Sequence, residues 1–147
     1  MMKRALKWLK RLGQGILALI GVFLIVKSST FDFLIHNGRY QDAVEEARKR
    51  TAETHETVYF RTDWEFDVAP MAGGQNICAR RLEDGTLFVR ILVRDFHRGG
   101  KLGLVYTQDD NATSSSIERA LDSHGCGEWS SKGALWGSWW AIENNLG

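Results

Sequence analysis

The sequence predicts an α+β protein in which an N-terminal transmembrane signal-anchor helix precedes a small domain with an antiparallel β-meander and two short helices. Three observations support this prediction. An uncharged apolar run follows a basic N-terminus, apolar residues then recur with helical spacing, and from residue 58 onwards they alternate with a period of two. After the anchor about 110 residues remain, which is enough for one domain with a core. The expected parts are 1–12, 13–35 and 36–147.

Residues 1–12 are expected to form a basic amphipathic helix at a membrane surface. Their apolar side chains recur at spacings of three and four, with cations between them. On a helix this pattern separates an apolar stripe from a basic face, which can lie against anionic headgroups. The side chains predicted to meet the membrane interface are Lys3, Arg4, Lys7, Trp8, Lys10 and Arg11.

Residues 13–35 are predicted to contain the transmembrane helix and a short aromatic connector that runs on to Asn37. The uncharged run at 12–26 is shorter than the roughly 20 apolar residues that a crossing helix needs. A signal anchor therefore requires extension past Lys27, whose side chain can reach the interface. A cleavable signal peptide also has a basic segment followed by a short apolar one, and a buried core helix is a third alternative. The anchor is favoured because no A-x-A-like cleavage site follows the run.

Charge asymmetry predicts the orientation of the chain. The first 27 residues hold six basic and no acidic side chains, whereas the remainder holds 13 basic and 18 acidic ones. The positive-inside rule then leaves the N-terminus in the cytoplasm and exports the C-terminal domain. An acidic exported domain argues against nucleic acid as a partner. The expected partners are membrane lipid and another membrane or exported protein.

The first half of the domain is predicted to hold a helix at 38–50 and four strands at 58–68, 76–82, 86–96 and 101–107. The helix carries acids early and bases late, which suits the helix dipole. The turn at 83–85 ends in glycine and predicts a hairpin between the second and third strands. The third strand is apolar on both faces, so it is expected at the centre of the sheet. Four strands joined by short turns favour an antiparallel meander.

The second half is predicted to hold a short helix and a closing strand pair. Ser115 and Glu118 fit a capping box, and Gly125 is a plausible stop for the helix. The tryptophan-rich segment at 134–142 is expected to form one or two strands or a hairpin. Together with the meander, these elements complete an α+β domain.

The two cysteines, Cys78 and Cys126, are predicted to pair. Both lie in the part expected to be exported, where a disulfide persists. Such a bond would close a loop of nearly fifty residues, for which the chain-entropy model gives roughly 3 to 4 kcal/mol. Two buried free thiols are the alternative.

The tryptophans of the tail form the candidate binding surface. Because Trp139 and Trp140 are adjacent, they would face opposite sides of a strand. One of them is therefore expected to point outward or into a second layer. Exposed tryptophan favours a protein, a carbohydrate or the membrane interface, whereas four core tryptophans are the alternative. The candidates are Trp129, Trp136, Trp139 and Trp140.

Residues with catalytic or metal-binding potential are few and scattered. The carboxylates at Asp63, Glu65 and Asp67 could recruit calcium together with Asp109 and Asp110, but a solvated strand face with ion pairs to neighbouring arginines is the favoured interpretation. The closest nucleophilic pair is His124 and Cys126. Asp95 and His97 form a second two-residue pair on a strand end. No metal and no cofactor are predicted.

Three functions are compatible with these features. The first is a non-enzymatic, single-pass accessory or binding subunit of a larger membrane assembly, with its domain outside the cytoplasm. The second is an exported, membrane-tethered hydrolase that uses the pairs named above. The third is a glycan-binding module that uses the tryptophans. The absence of a catalytic signature favours the accessory subunit.

Overall fold

The computed structural model describes residues 2–26, 29–62, 76–95 and 100–144, which form three helices and one six-stranded antiparallel sheet. This confirms the predicted α+β class. In chain order the elements are α1 (Met2–Val26), α2 (Ser29–Arg50), β1 (Val58–Phe60), β2 (Ile77–Arg81), β3 (Leu87–Asp95), β4 (Lys101–Thr107), α3 (Ser114–Ser123), β5 (Ser130–Trp136) and β6 (Trp139–Asn144).

The sheet has the order β1-β2-β3-β4-β6-β5, with antiparallel pairing between all neighbours. Its first four strands are the predicted meander. The tryptophan-rich tail forms the closing hairpin, in which β6 pairs with β4 and β5 becomes an edge strand. Both β-bulges of β5 lie on this edge, where an irregular ladder discourages pairing with another chain.

Strand β3 separates two apolar cores, as its sequence predicts. Leu87, Val89 and Ile91 are buried in the core beneath α2. Phe88 and Leu92 are buried in a second core, to which α3 contributes. Successive side chains of a strand point to opposite faces, so an uninterrupted apolar strand requires cover on both sides. The helices supply that cover.

Helix α2 contains both the predicted helix and the expected connector. It begins at Ser29 and has a kink at His36, where φ is −109° and ψ is 16°. The part after the kink corresponds to the helix predicted at 38–50, and the residues expected to form the connector, 31–37, are helical as well. The connector residue Phe33 is buried against Tyr40 and Trp139 and contributes to the domain core.

Helix α3 begins with a different capping box from the predicted one. The side chain of Thr113 accepts a hydrogen bond from the amide of Ser116, and the Ser116 hydroxyl accepts one from the amide of Thr113. The prediction of Ser115 with Glu118 was wrong, because the Glu118 carboxylate instead accepts from the Ser131 amide at 2.7 Å. Gly125, the predicted stop, has the positive φ of 71° that favours glycine after a helix.

Three predicted features either differ from the structure or lie outside its described residues. Strand β1 covers Val58–Phe60, and the rest of the strand expected at 58–68 lies largely outside the described residues. Asp63, Glu65 and Asp67 lie outside them as well. The transmembrane helix predicted within 13–35 is not found in the described part of the chain, where no helix has the combination of length and apolar character needed to cross a membrane.

Candidate functional site

The four candidate tryptophans have very different environments. Trp139 is the centre of an aromatic cluster beneath α2, with ring centroids 5.3 Å from Phe33, 6.2 Å from Tyr40 and 5.3 Å from Tyr106. It is buried. Trp139 therefore stabilises the packing of α2 on the sheet and offers little surface to a ligand.

Trp140 and Trp129 lie on the other face of the sheet. Trp140 is half-buried and packs against the core that α3 covers. This agrees with the expectation that one of the adjacent tryptophans enters a second layer. Trp129 is buried, and its indole N–H donates to the carbonyl of Cys126 at 3.0 Å. Both residues therefore contribute mainly to the core.

Trp136 is the exposed member of the four. It ends β5, immediately before the turn at Gly137 and Ser138, and Gly137 has a φ of 53°. The side chain of Trp136 is 76% exposed, and those of Leu34 and Ile35 on α2 are 67% and 57% exposed. The hairpin tip and the start of α2 thus present large apolar side chains to the surroundings.

A cleft of about 340 Å³ lies between this hairpin and the start of α2. We call it the Trp136 cleft, and its lining residues are Phe33, Leu34, Asn37, Gln41, Trp136 and Trp139. Two amides provide its polar groups, and the Gln41 amide donates to Asn37 Oδ1 at 3.5 Å. Because none of the lining side chains titrates, the cleft has the chemistry of a binding surface and lacks an acid, a base and a nucleophile.

Cys78 and Cys126 lie at disulfide distance, with their sulfur atoms 2.02 Å apart. The bond joins β2 to the segment that follows α3, and both cysteines are buried in the second core. This agrees with the predicted pairing. A thiolate at Cys126 paired with His124, as the hydrolase interpretation requires, is incompatible with this bond.

The surroundings of His124 also indicate a structural role for this residue. Burial lowers the pKa of His124, and the nearby positive charge of Arg80 lowers it further. Its backbone carbonyl accepts a hydrogen bond from the Thr57 hydroxyl at 2.7 Å. His97, the second member of the pair with Asp95, lies outside the described residues. Among the described histidines, cysteines and carboxylates, no group of three is arranged to hold a metal ion.

Arg90 is a buried cation that the sequence did not reveal. Only 6% of it is exposed, and Nη1 donates to the carbonyl of Asn76 at 3.3 Å. Its guanidinium lies 5.7 Å from the ring of Trp129, whereas Nε is buried without a hydrogen-bond partner among the described residues. Burial lowers the pKa of Arg90 to about 10, against a smaller opposing effect of Tyr59. The pattern of residues along β3 does not show that Trp129 covers this position.

Helix α1 presents apolar side chains on several sides. It is 25 residues long, and consecutive residues of a helix point about 100° apart. Exposed positions such as Ile16, Leu17 and Leu19 therefore face different directions. The exposed large apolar side chains of α1 are Trp8, Leu9, Leu12, Ile16, Leu17, Leu19, Ile20 and Val22.

The structure describes the side chains of three of the five predicted interfacial cations. Lys7, Lys10 and Arg11 are exposed on α1, beside the exposed Trp8. The side chains of Lys3 and Arg4 lie outside the described part. The described basic side chains thus cluster in the first half of the helix, and the uncharged residues follow them.

Comparison of the chain with protein-family models, with curated proteins and with solved structures found no match. The functional proposals therefore depend on the geometry of α1 and of the Trp136 cleft. Sequence reasoning found Trp136 but missed Asn37 and Gln41, which lie one helical turn apart. Asn37 was assigned to the connector and Gln41 to the helix after it, so their spacing of four residues along one helix was not recognised.

Proposed function

We propose that this protein is a membrane-tethered accessory subunit, with its N-terminus in the cytoplasm and its α+β domain on the other side of the membrane. It binds other components of a membrane assembly and catalyses no reaction. The observation that carries the proposal is the exposure of apolar side chains around α1. Because no described helix meets the length and apolar character of a membrane span by itself, the proposed tether comprises α1, its basic start and an extension of the uncharged run at 12–26 past Lys27.

The tether is supported by the contrast between α1 and a soluble amphipathic helix. A surface helix of a globular protein turns one apolar stripe inward, whereas a helix that is apolar on all sides requires a lipid or protein environment. Leu17, Leu19 and Ile20 are all exposed although they point in different directions. Contiguous exposed apolar surface of this kind is typical of membrane and protein interaction sites.

The basic start of α1 suits the cytoplasmic leaflet. Lys7, Lys10 and Arg11 are exposed together with Trp8. Juxtamembrane cations are attracted to anionic lipids by about 1 kcal/mol each, and tryptophan is enriched at the membrane interface. This arrangement favours a membrane-bound helix with its N-terminal end in the headgroup layer.

The extracytoplasmic location of the domain is supported by two independent features. Structural disulfides persist in oxidising compartments and are rare in the cytosol, and the bond between Cys78 and Cys126 is buried in the domain core. The excess of basic residues before residue 28 and of acidic residues after it favours the same orientation.

Helix α1 is also the proposed contact with a protein partner. Within a membrane, helices associate through close side-chain packing, so an apolar helix can meet lipid on one side and a partner helix on the other. The Trp136 cleft, whose lining includes no titratable side chain, is consistent with a domain that binds without catalysis. Cys126 is bonded to Cys78 and therefore cannot serve as the nucleophile of a hydrolase.

A photo-crosslinking experiment on the full chain tests the accessory role. A photoreactive residue replaces Leu17 on α1, or in a matched control replaces the exposed Glu53 beyond α2. The protein is irradiated in its native membrane and purified in mild detergent. We expect one discrete crosslinked protein from the Leu17 position and none from Glu53. A monomer without crosslinks at Leu17, or equal crosslinking at both positions, would contradict the proposal.

Glycan binding is the second candidate function, and one observation favours it. The exposed ring of Trp136 lies beside the amides of Asn37 and Gln41 in a cleft without charged side chains. An aromatic face with a few convergent polar groups suits an uncharged, hydroxyl-rich ring. Titration with neutral oligosaccharides should then change Trp136 fluorescence in the wild type and not in Trp136→Ala.

A further inference from the structure

Given the membrane tether proposed above, we infer that the rim of the Trp136 cleft docks on the lipid interface and forms a second membrane contact. The rim comprises Leu34 and Trp136, which line the cleft at the start of α2 and at the tip of the β5–β6 hairpin, and Ile35, which follows Leu34 on α2. These three side chains are each more than half exposed. In the described domain, from α2 to β6, the next most exposed large apolar side chain is that of Tyr59, at 43%.

The length of chain between α1 and the rim keeps the rim close to the membrane. The three residue steps from Val26 to Ser29 span at most about 11 Å. The five helical steps from Ser29 to Leu34 then rise about 7.5 Å. Leu34 is therefore within about 20 Å of the end of α1 at Val26. Trp136 lines the same cleft as Leu34, so it is held at the same end of the domain.

The chemistry of the rim suits the boundary between lipid and water. Tryptophan is enriched at this boundary because it combines an apolar body with an N–H group. Leu34 and Ile35 supply exposed apolar surface, while Asn37 and Gln41 add uncharged polar groups to the lining of the cleft. None of these side chains carries a charge that would have to be desolvated on entering the headgroup region.

The structure of the hairpin leaves Trp136 free to enter lipid without unfolding the domain. Its cross-strand partner Trp139 is buried in the aromatic cluster and holds the hairpin against α2. Because the fixed ring and the exposed ring belong to different residues, docking requires no rearrangement of the core. The second contact would restrict rotation of the domain about its tether.

The full chain, reconstituted in nanodiscs of zwitterionic and anionic phospholipid, tests this contact. All tryptophans carry a fluorine label, and a fraction of the lipid carries a paramagnetic headgroup. We expect strong broadening of the Trp136 fluorine signal, assigned by Trp136→Phe, and little broadening of Trp129 on the opposite face of the sheet. Trp8 on α1 reports the tether separately. In Leu34→Ser/Ile35→Ser, broadening at Trp136 should be lost and that at Trp8 retained.

The outcomes separate the docking contact from the tether. Broadening of Trp8 without broadening of Trp136 overturns the docking contact and leaves the tether standing. Absence of broadening at both positions overturns both. A Trp136 signal that is unaffected by the paramagnetic lipid and shifts on addition of a neutral disaccharide such as maltose assigns the cleft to a sugar, which also overturns the docking contact.

Discussion

Trp136 and Trp139 are cross-strand partners at the end of the β5–β6 hairpin, yet 76% of Trp136 is exposed and only 3% of Trp139. The pairing places two indoles at one turn, and only one of them enters the core. The hairpin therefore both anchors α2 to the sheet and presents an aromatic side chain outward. Because Trp139 packs in the core and Trp136 does not, the two residues should contribute differently to the stability of the domain.

Replacement of each tryptophan by alanine should distinguish these roles. Trp139→Ala removes the centre of the aromatic cluster and is expected to lower the free energy of unfolding by about 3 to 5 kcal/mol. Trp136→Ala changes an exposed position and is expected to stay within about 0.5 kcal/mol of the wild type. Urea unfolding of both variants in the same detergent measures the difference. Equal losses of stability would contradict the assignment.

Loss of the disulfide should destabilise the domain markedly. The bond between Cys78 and Cys126 spans a sequence separation of 48 residues, for which the chain-entropy model gives about 4 kcal/mol. Cys78→Ala/Cys126→Ala is therefore expected to lower the free energy of unfolding by roughly 3 to 4 kcal/mol, as is reduction of the wild type. Non-reducing mass spectrometry of protein from its native membrane provides the control. Two free thiols there would contradict the pairing.

The helix-capping assignment at α3 is testable with two neighbouring hydroxyl residues. Thr113→Ala removes the side chain that accepts from the Ser116 amide and should cost about 1 kcal/mol. Ser115→Ala is the matched control and should change stability by less than about 0.5 kcal/mol. Thermal unfolding followed by circular dichroism compares them. A larger loss at Ser115 would restore the capping box predicted from sequence.

The lowered pKa of His124 predicts a dependence of stability on pH. Because the folded state binds the proton less tightly than the unfolded state, whose pKa is 6.5, this contribution is fully present above pH 6.5. It is lost as the pH falls through 6.5 towards the lower folded pKa. In His124→Gln the loss between about pH 7.5 and 5.5 should be smaller than in the wild type. Urea midpoints across this interval measure it, and parallel curves for the two proteins would count against the assignment.

The parts of the fold that could be predicted from the sequence are those that depend on neighbouring residues. The apolar run of β3 and the glycine turn at 83–85 depend on neighbours in sequence, and both β3 and the β2–β3 hairpin were predicted correctly. The helical connector before the kink of α2 was not predicted, because Phe33 packs on Trp139, more than a hundred residues away. The same long-range packing buries Arg90 beneath Trp129. Identical indoles in the tail gave no sign of which one is exposed.

The most direct test of the proposed tether is the accessibility of the two ends of the full chain in sealed membrane vesicles. The protein carries one epitope tag at each end, and protease is added to right-side-out vesicles that resist alkaline carbonate extraction of peripheral proteins. If the domain lies beyond the membrane from the N-terminus, the C-terminal tag is lost and the N-terminal tag is protected until detergent opens the vesicles. Release of the protein by carbonate, or equal protection of both tags, would contradict the account.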